Sequence, residues 1–140
     1  MNEALTHTGV LRELYNITKK AIELGKTSKT ITKSHFIEKV WGQEEIICSR
    51  GKIMHLDKGA QCSLHFHKIK EEVFGCLSGE VRMRVGETEY IMATGDIVRI
   101  PIGTHHSFTG IQDSKIVEIS YQDDDVNDSY RITQSRRGVL

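Results

Sequence analysis

The clearest indication of the fold is the segment GAQCSLHFHKIKEEVFGCLSG at residues 59–79. Its apolar residues fall in short runs between turn-forming glycines, a pattern typical of strands. His65 and His67 are two residues apart in one run, so on a strand both imidazoles project from the same face. Glu72 begins the next run, and a tight connection at residues 68–71 would return its carboxylate to the imidazoles. The stretch therefore predicts two strands that present a cluster of nitrogen and oxygen ligands.

The strand pattern continues from residue 36 to residue 121. Short segments rich in Val, Ile, Tyr and Phe alternate with glycine turns, which predicts strands at residues 44–48, 52–56, 62–67, 73–77, 81–85, 88–92, 97–100, 106–109 and 115–121. No helical pattern of about 10–15 residues lies between these segments, which argues against a parallel sheet built from β-α-β units. The chain is therefore predicted to be all-β, with its strands in a sandwich or barrel.

A helix is predicted before the strands, at residues 8–25. Apolar side chains recur there at three- and four-residue steps, at Val10, Leu11, Leu14, Ile17, Ala21 and Leu24. Thr8 is the predicted N-cap and Gly25 the predicted C-cap. We expect the helix to pack on the main body, although its apolar face would also suit a dimer contact. The predicted organisation is an N-terminal helix and linker at 1–35, a barrel at 36–121 and a polar C-terminal tail at 122–140.

The length, charge and cysteine content of the chain indicate which kinds of binding partner to expect. The 140 residues suffice for one domain with its own core. Nineteen basic and nineteen acidic residues give a formal net charge of zero, which argues against broad electrostatic binding to nucleic acid or a membrane. Three widely spaced cysteines fit a reducing compartment, and no secretory signal or bilayer-spanning stretch is visible. We therefore expect a cytoplasmic protein that binds a small molecule.

A third imidazole, that of His106, follows a turn containing Pro101 and Gly103. Three imidazoles and one carboxylate suit a divalent transition metal such as Fe, Mn, Ni, Co or Zn. A thiolate zinc site is weakly supported, because the cysteines have no C-x-x-C spacing. A His-x-His pair alone leaves the question open, since strand histidines also occur as ordinary polar residues. By strand parity, the neighbouring His105 should point away from the cluster.

The complete spacing resembles the two motifs of the cupin family. Five, one, four and six residues separate Gly59, His65, His67, Glu72 and Gly79. Five, one and two residues separate Gly95, Pro101, Gly103 and His106, and fifteen residues lie between the motifs. The resemblance implies a double-stranded β-helix, the cupin jelly-roll barrel, with an N-terminal α-helix added. It also implies a metal held by His65, His67, Glu72 and His106. One departure is Gly110, where the second motif commonly ends in Asn.

A narrower resemblance concerns three further segments. Residues 38–42, 44–46 and 128–131, with the sequences EKVWG, EEI and DSYR, resemble type II mannose-6-phosphate isomerases. The same domain forms the C-terminal part of mannose-1-phosphate guanylyltransferases. Those proteins usually carry Gln at the position of His65 and Arg near Lys70, so this chain departs from them there. The resemblance implies an isomerase or epimerase that acts on a sugar or sugar phosphate through a metal-stabilised enediolate.

Such a reaction needs a proton carrier and a binding group for the substrate. The candidate proton carriers or their orienting groups are His55, Tyr121 and Glu118. The candidate cations for a substrate phosphate are Lys52, Lys70 and Arg99. Two alternatives use the same metal site: an iron-dependent cupin dioxygenase, and a non-catalytic cupin that binds a small ligand. Small cupins often pair through their sheets, so the resemblance also implies a homodimer.

Overall fold

The computed structural model describes residues 7–27 and 33–138. In these residues helix α1 (His7–Thr27) precedes eleven strands. The strands are β1 (His35–Lys39), β2 (Gly42–Cys48), β3 (Gly51–Leu56), β4 (His65–Phe66), β5 (Glu72–Ser78), β6 (Glu80–Val85), β7 (Thr88–Ala93), β8 (Ile97–Ile100), β9 (His106–Gly110), β10 (Ser114–Ser120) and β11 (Tyr130–Arg131). In the part of the chain that the structure describes, no helix is long and apolar enough to cross a membrane.

The strands form two antiparallel sheets that face each other. The larger sheet has the order β1-β2-β3-β10-β5-β8, and the smaller has the order β11-β4-β9-β6-β7. Chain neighbours such as β4 and β5 lie in different sheets, so the chain crosses repeatedly between the two layers. This is the connectivity of a jelly roll. The predicted all-β jelly-roll barrel with an N-terminal helix is confirmed.

The apolar core lies between the two sheets. Strand alternation points every second residue inward, and the inward positions of β3, β5, β6, β9 and β10 bring together Met54, Leu56, Phe74, Cys76, Val81, Met83, Phe108 and Ile116. Each of these side chains is at most 4% exposed. Burial of a large apolar side chain contributes about 1.5–3 kcal/mol, so this cluster supplies much of the driving force for folding.

Helix α1 covers the outer face of the larger sheet. Val10 is buried with Val73, Val117 and Ile119, and Leu14 and Ile17 pack against the same cluster. The predicted helix and its packing on the body are confirmed, whereas the predicted caps are wrong. The helix begins at His7, before Thr8, and it continues past Gly25 to Thr27.

Two other parts of the barrel differ from the strand pattern. The predicted strand at 62–67 is reduced to β4, because the backbone N–H groups before it bond to side chains of the C-terminal segment. Ser63 N–H donates to Ser135 Oγ over 3.0 Å, and Leu64 N–H donates to Thr133 Oγ1 over 2.8 Å. The segment predicted as a polar tail also contains β11, which pairs with β4. The C-terminal segment therefore lies along one edge of the smaller sheet.

Gly110, the departure from the second cupin motif, has a steric reason. A Cβ atom at this position would lie 2.7 Å from the carbonyl oxygen of Asp57 and 3.0 Å from that of Gln112. The backbone N–H and carbonyl of Gly110 bond to Ala60 and Gly59, which fixes the close approach. An asparagine side chain has no room here, so the glycine is required by the local packing.

Candidate metal centre and its pocket

A cavity of about 360 Å³ lies inside one end of the barrel and reaches the surface. The inward side chains near the ends of β3, β4, β5 and β10 line it together with the connection after β10. Apolar side chains form part of its lining, and the ionisable part includes His65, His67, Glu72, Glu118, Lys52, Lys70 and Asp124. The jelly roll thus brings residues that are more than seventy positions apart into one pocket.

Three imidazoles converge beside this cavity. His65 on β4 is paired in register with His106 on β9, and His67 follows β4 directly. One ring nitrogen of each residue lies within 4.8 Å of the others. His106 is fully buried and His67 is 7% exposed. The spacing of two residues therefore places both β4-end imidazoles on the inner face, as predicted.

The three rings are oriented by backbone carbonyl groups. His65 Nδ1 donates to Ser63 O over 2.7 Å, His67 Nδ1 donates to Asp128 O over 2.9 Å, and His106 Nδ1 donates to Thr104 O over 2.9 Å. A neutral imidazole with its proton on Nδ1 has a lone pair on Nε2. This is the arrangement by which proteins prepare histidines for a metal ion.

Glu72 completes the cluster. Its Oε1 lies 2.7 Å from His67 Nε2 and 3.3 Å from His106 Nε2. Within residues 7–27 and 33–138, Glu72 Oε1 and His106 Nε2 are buried side-chain atoms without a hydrogen-bond partner. Buried polar atoms are costly unless satisfied, and a cation shared by an oxygen and imidazole lone pairs satisfies all of them. The residues present therefore fit a divalent metal ion.

The protonation states of neighbouring groups favour imidazole and carboxylate ligands. Burial, together with the adjacent His106, lowers the pKa of His65 to about 4, so this ring is neutral at pH 7. Burial also raises the pKa of the Cys62 thiol to about 12. Cys62 lines the cavity, but among the described residues the ligand atoms that converge within 4.8 Å are those of His65, His67 and His106, without Cys62. The thiolate alternative is therefore not supported at this site.

A row of charged side chains crosses the larger sheet next to the metal cluster. Lys52 Nζ lies 2.7 Å from Glu44 Oε1 and 3.8 Å from Glu118 Oε2. Lys70 Nζ lies 2.9 Å from Glu118 Oε1 and 3.7 Å from Glu72 Oε2. Charged residues are buried in proteins when they are paired, and every member of this row has an opposite charge beside it.

Two carboxyl groups of the pocket titrate as a pair. Burial, followed by the charge of Glu72, raises the pKa of Glu118 to about 8. Burial opposes ionisation of Glu72 as well, but contacts with Glu118, His106 and His67 more than offset it and hold its pKa well below the usual range. Burial would also discharge Lys70, but Glu118, Glu72 and Asp124 outweigh it and raise its pKa. Of the two carboxyl groups, Glu72 therefore holds its negative charge more firmly, and Glu118 takes up a proton more readily.

Asp128, from the C-terminal segment, holds the loop between the metal ligands. Its carboxylate accepts hydrogen bonds from the backbone N–H groups of Lys68, Ile69 and Lys70, at 2.9 to 3.2 Å. Its carbonyl accepts the hydrogen bond from His67 Nδ1. Because the side chain is only 4% exposed, the loop and the imidazole are fixed by one buried residue.

Three of the predicted site residues lie outside the pocket. His55 bonds to Glu45 over 3.0 Å and lines a separate cleft, so its position does not suit a proton carrier at the imidazoles. Tyr121 packs in the apolar cluster beneath helix α1. Arg99 is exposed and pairs with Glu71. Strand parity could not place these side chains, because it does not say which face is the inner one.

The remaining predicted residues are brought together. Glu118, Lys52 and Lys70 line the pocket with His65, His67 and Glu72. His106 is fully buried behind this lining, next to the other two imidazoles. The neighbouring His105 points away from the cluster and stacks on Phe66 with ring centroids 4.9 Å apart. Sequence reasoning did not identify three site residues: Glu44, Asp124 and Asp128. The signal for the last two was the acidic run and the DSYR segment after the final predicted strand.

Comparisons with known proteins agree with this geometry. Residues 52–120 match the Cupin_2 family model, described as a cupin domain. CapF from Staphylococcus aureus, a capsular polysaccharide assembling protein, superposes with a TM-score of 0.65 and 18% identity over 76% of this chain and 34% of CapF. This chain thus spans about a third of CapF. By sequence, no curated protein matches significantly.

Two other structures share the fold. Streptomyces PAC13, solved with uridine, aligns with a TM-score of 0.61 and 12% identity over 74% of this chain and 93% of its own. Oxalate decarboxylase from Bacillus subtilis aligns with a TM-score of 0.61 and 20% identity over 71% of this chain and 30% of its own. At these identities the likeness establishes the barrel, while the chemistry has to be argued from the pocket.

Proposed function

We propose that this chain, whose barrel contains a cupin domain, is a metal-dependent isomerase or epimerase that acts on a sugar or sugar phosphate. The observation that carries the proposal is the convergence of three imidazole nitrogens and Glu72 Oε1 at one side of the pocket. Charged side chains, including Glu118, Lys52 and Lys70, line the pocket beside them. A divalent ion bound there supplies Lewis-acid polarisation of a substrate carbonyl oxygen. The resemblance to mannose-6-phosphate isomerases supports the choice of substrate class.

Glu118 is the proton carrier in this proposal. Of the three candidates from the sequence, it lines the pocket, while His55 and Tyr121 lie elsewhere. Its Oε1 is held 2.9 Å from Lys70 Nζ and 3.5 Å from Ser120 Oγ, so the carboxyl group has a fixed position. Isomerisation moves a proton between adjacent carbons, and a carboxyl group can accept and return that proton.

Hydrogen exchange tests the proposal directly. The metal-loaded protein is incubated with aldose and ketose sugars and their phosphates in deuterated water, and incorporation at the carbons next to the carbonyl is followed by NMR. We expect incorporation with at least one sugar. Glu118→Gln should abolish it at unchanged metal content, because an amide cannot carry the proton. Tyr121→Phe is the matched control and should retain exchange. No incorporation across the panel contradicts the proposal.

An oxygen-free repeat separates the proposal from the dioxygenase alternative. Isomerisation consumes no oxygen, so we expect the same exchange rate in anaerobic buffer. A product that forms only in air would instead support an iron-dependent dioxygenase. Binding of a sugar with neither product nor exchange would support the non-catalytic alternative.

The homodimer also belongs to the proposal. Within the described residues, β1 pairs on one side with β2 and forms the edge of the larger sheet. It exposes Phe36 and Ile37, which are 50% and 38% exposed. Edge strands with apolar side chains are suited to pairing with a second copy. Light scattering should give twice the chain mass of 15.9 kDa, and the monomer mass at micromolar concentration contradicts the dimer.

A further inference from the structure

We propose that Asp124 occupies the binding position of an acidic group of the substrate, and that a carboxylate or phosphate replaces it on Lys52 and Lys70. This inference rests on the proposed function for the identity of the pocket, and it narrows the substrate class to anionic sugars. Asp124 Oδ1 lies 2.7 Å from Lys70 Nζ, and Asp124 Oδ2 lies 3.0 Å from Lys52 Nζ. One carboxylate thus bridges two ammonium groups, as an acidic ligand would.

Asp124 differs from the other acidic residues around the two lysines. Glu44, Glu72 and Glu118 project from strands of the larger sheet, and each is at most 8% exposed. The side chain of Asp124 is 36% exposed and belongs to the connection between β10 and β11. Of these four acidic residues, Asp124 is therefore the one whose side chain can move away from the lysines without disturbing a sheet.

The buried Asp128 anchors the far end of this segment, but the residues next to Asp124 are held by contacts at the surface. Asp124 N–H donates to Ser49 O over 2.8 Å, and Asp123 pairs with the exposed Arg50. The next residues contribute no buried apolar side chain, since Val126 is 86% exposed. Segments with few buried apolar contacts open at low cost in free energy. Displacement of the Asp124 side chain is therefore a small change compared with breaking the strand-borne pairs.

When the Asp124 side chain moves away, other carboxylates still neutralise part of the positive charge of Lys52 and Lys70. The two lysines can then attract another anion. Lys52 retains Glu44, and Lys70 retains Glu118. Glu72, the third carboxylate near Lys70, is also a candidate metal ligand, so its charge is shared with the metal centre. When Asp124 leaves, the two ammonium groups lose the carboxylate that lies within 3.0 Å of both, and an anion in its place can make the same two contacts.

The distances fit one small substrate. Lys70 Nζ lies 3.7 Å from Glu72 Oε2, and the other oxygen of this carboxylate lies 2.7 Å from His67 Nε2. An acidic group on the lysines and a carbonyl or hydroxyl group at the imidazoles are then a few bonds apart. The cavity of about 360 Å³ is within the range of small-molecule sites, so a monosaccharide with one acidic group is the class that fits.

Calorimetric titration of the metal-loaded protein tests the inference through binding, which requires no turnover. The probes are gluconate, which carries a carboxylate, glucose 6-phosphate, which carries a phosphate, and glucose as the neutral comparison. We expect Asp124→Asn to raise the affinity for at least one acidic probe about tenfold, because the competing charge is gone while the side chain keeps its size. Asp123→Asn is the matched control, since it removes a charge one residue away that pairs with Arg50.

The pattern of affinity changes shows which kind of acidic group the two lysines bind. A gain with gluconate alone identifies a carboxylate site, a gain with glucose 6-phosphate alone identifies a phosphate site, and a gain with both identifies a general anion site. Equal gains with Asp123→Asn or with glucose, or no detectable binding of either acidic probe to either protein, overturn the inference. Failure of the deuterium exchange experiment would leave this affinity result intact, so the two proposals fail separately.

Discussion

The two ends of the barrel interior are built from the same strands but have opposite chemistry. Inward positions two residues apart change from polar to apolar along each strand: His106 and Phe108 on β9, Glu72 and Phe74 on β5, Lys52 and Met54 on β3, Glu118 and Ile116 on β10. One end is an apolar core, and the other is a pocket with ionisable groups, and Met54, Phe74 and Phe108 lie where the core meets the pocket. The apolar end therefore stabilises the fold, and the side chains at the polar end are available for binding and catalysis.

The difference has an energetic consequence. The apolar end gains free energy from buried area. The polar end holds buried charges and, among the described residues, two buried side-chain atoms without a hydrogen-bond partner, Glu72 Oε1 and His106 Nε2. Buried ion pairs contribute little net stability, because desolvation offsets their attraction. We therefore expect substitutions at the apolar end to change folding, and substitutions at the polar end to change binding.

The largest effect on folding is expected at the apolar end. Phe108 is 3% exposed and packs against Trp41 and Phe74. Phe108→Ala should lower the free energy of unfolding by about 3–5 kcal/mol, because it leaves a cavity in a packed core. Urea unfolding of the metal-free protein measures this. A loss below about 1 kcal/mol would show that the core does not carry the stability of the barrel.

The next effect is a loss of metal at the polar end. His67→Ala removes one of four converging ligands, and we expect the affinity for a divalent transition metal to fall by about a hundredfold or more. Saturating metal at about 100 times its dissociation constant should stabilise the wild-type protein by about 2.7 kcal/mol, and this gain should disappear in the variant. Metal content and thermal unfolding check both results. Wild-type protein that takes up no Mn, Fe, Ni or Zn contradicts the metal site.

A smaller effect is expected for the residue that positions the ligands. Asp128→Asn replaces a carboxylate that bonds to three backbone N–H groups of the loop at 68–70. We expect metal affinity to fall about 10- to 100-fold, the range for residues that orient ligands, while the ligands themselves remain. Asp125→Asn, which removes an exposed carboxylate of the same segment, is the control for charge. Equal losses in both variants would assign the effect to charge rather than to position.

The comparison also explains how much the sequence could reveal. The cupin spacing and strand parity placed His65, His67, Glu72 and His106 together, because these residues follow local rules of turn length and alternation. The predicted helix at 8–25 agrees with the observed His7–Thr27 to within two residues at each end, whereas the two predicted caps are wrong, because a hydrophobic pattern does not define the terminal residue of a helix.

The row of charged side chains next to the metal cluster could be predicted only in part. The sequence allowed us to name Lys52, Lys70 and Glu118 as candidates. No sequence pattern distinguished them from Arg99, Tyr121 and His55, because only the assembled sheets show which face of a strand is the inner one. Asp124 and Asp128 lie outside the cupin motifs, and their side-chain contacts with the pocket and its loop span 54 to 72 positions along the chain. Such long-range contacts depend on the path of the final segment, which no local pattern specifies.

The smallest expected effect separates two adjacent histidines. His105 stacks on Phe66 outside the cluster, whereas His106 is fully buried inside it. His105→Ala should leave metal affinity unchanged and reduce the free energy of unfolding by about 0.5–1.5 kcal/mol, the value of one aromatic pair. Competition with a chelating dye measures the affinity. A clear loss of metal in this variant would mean that the chain presents the other imidazole to the ion, and the register between β4 and β9 would have to shift by one residue.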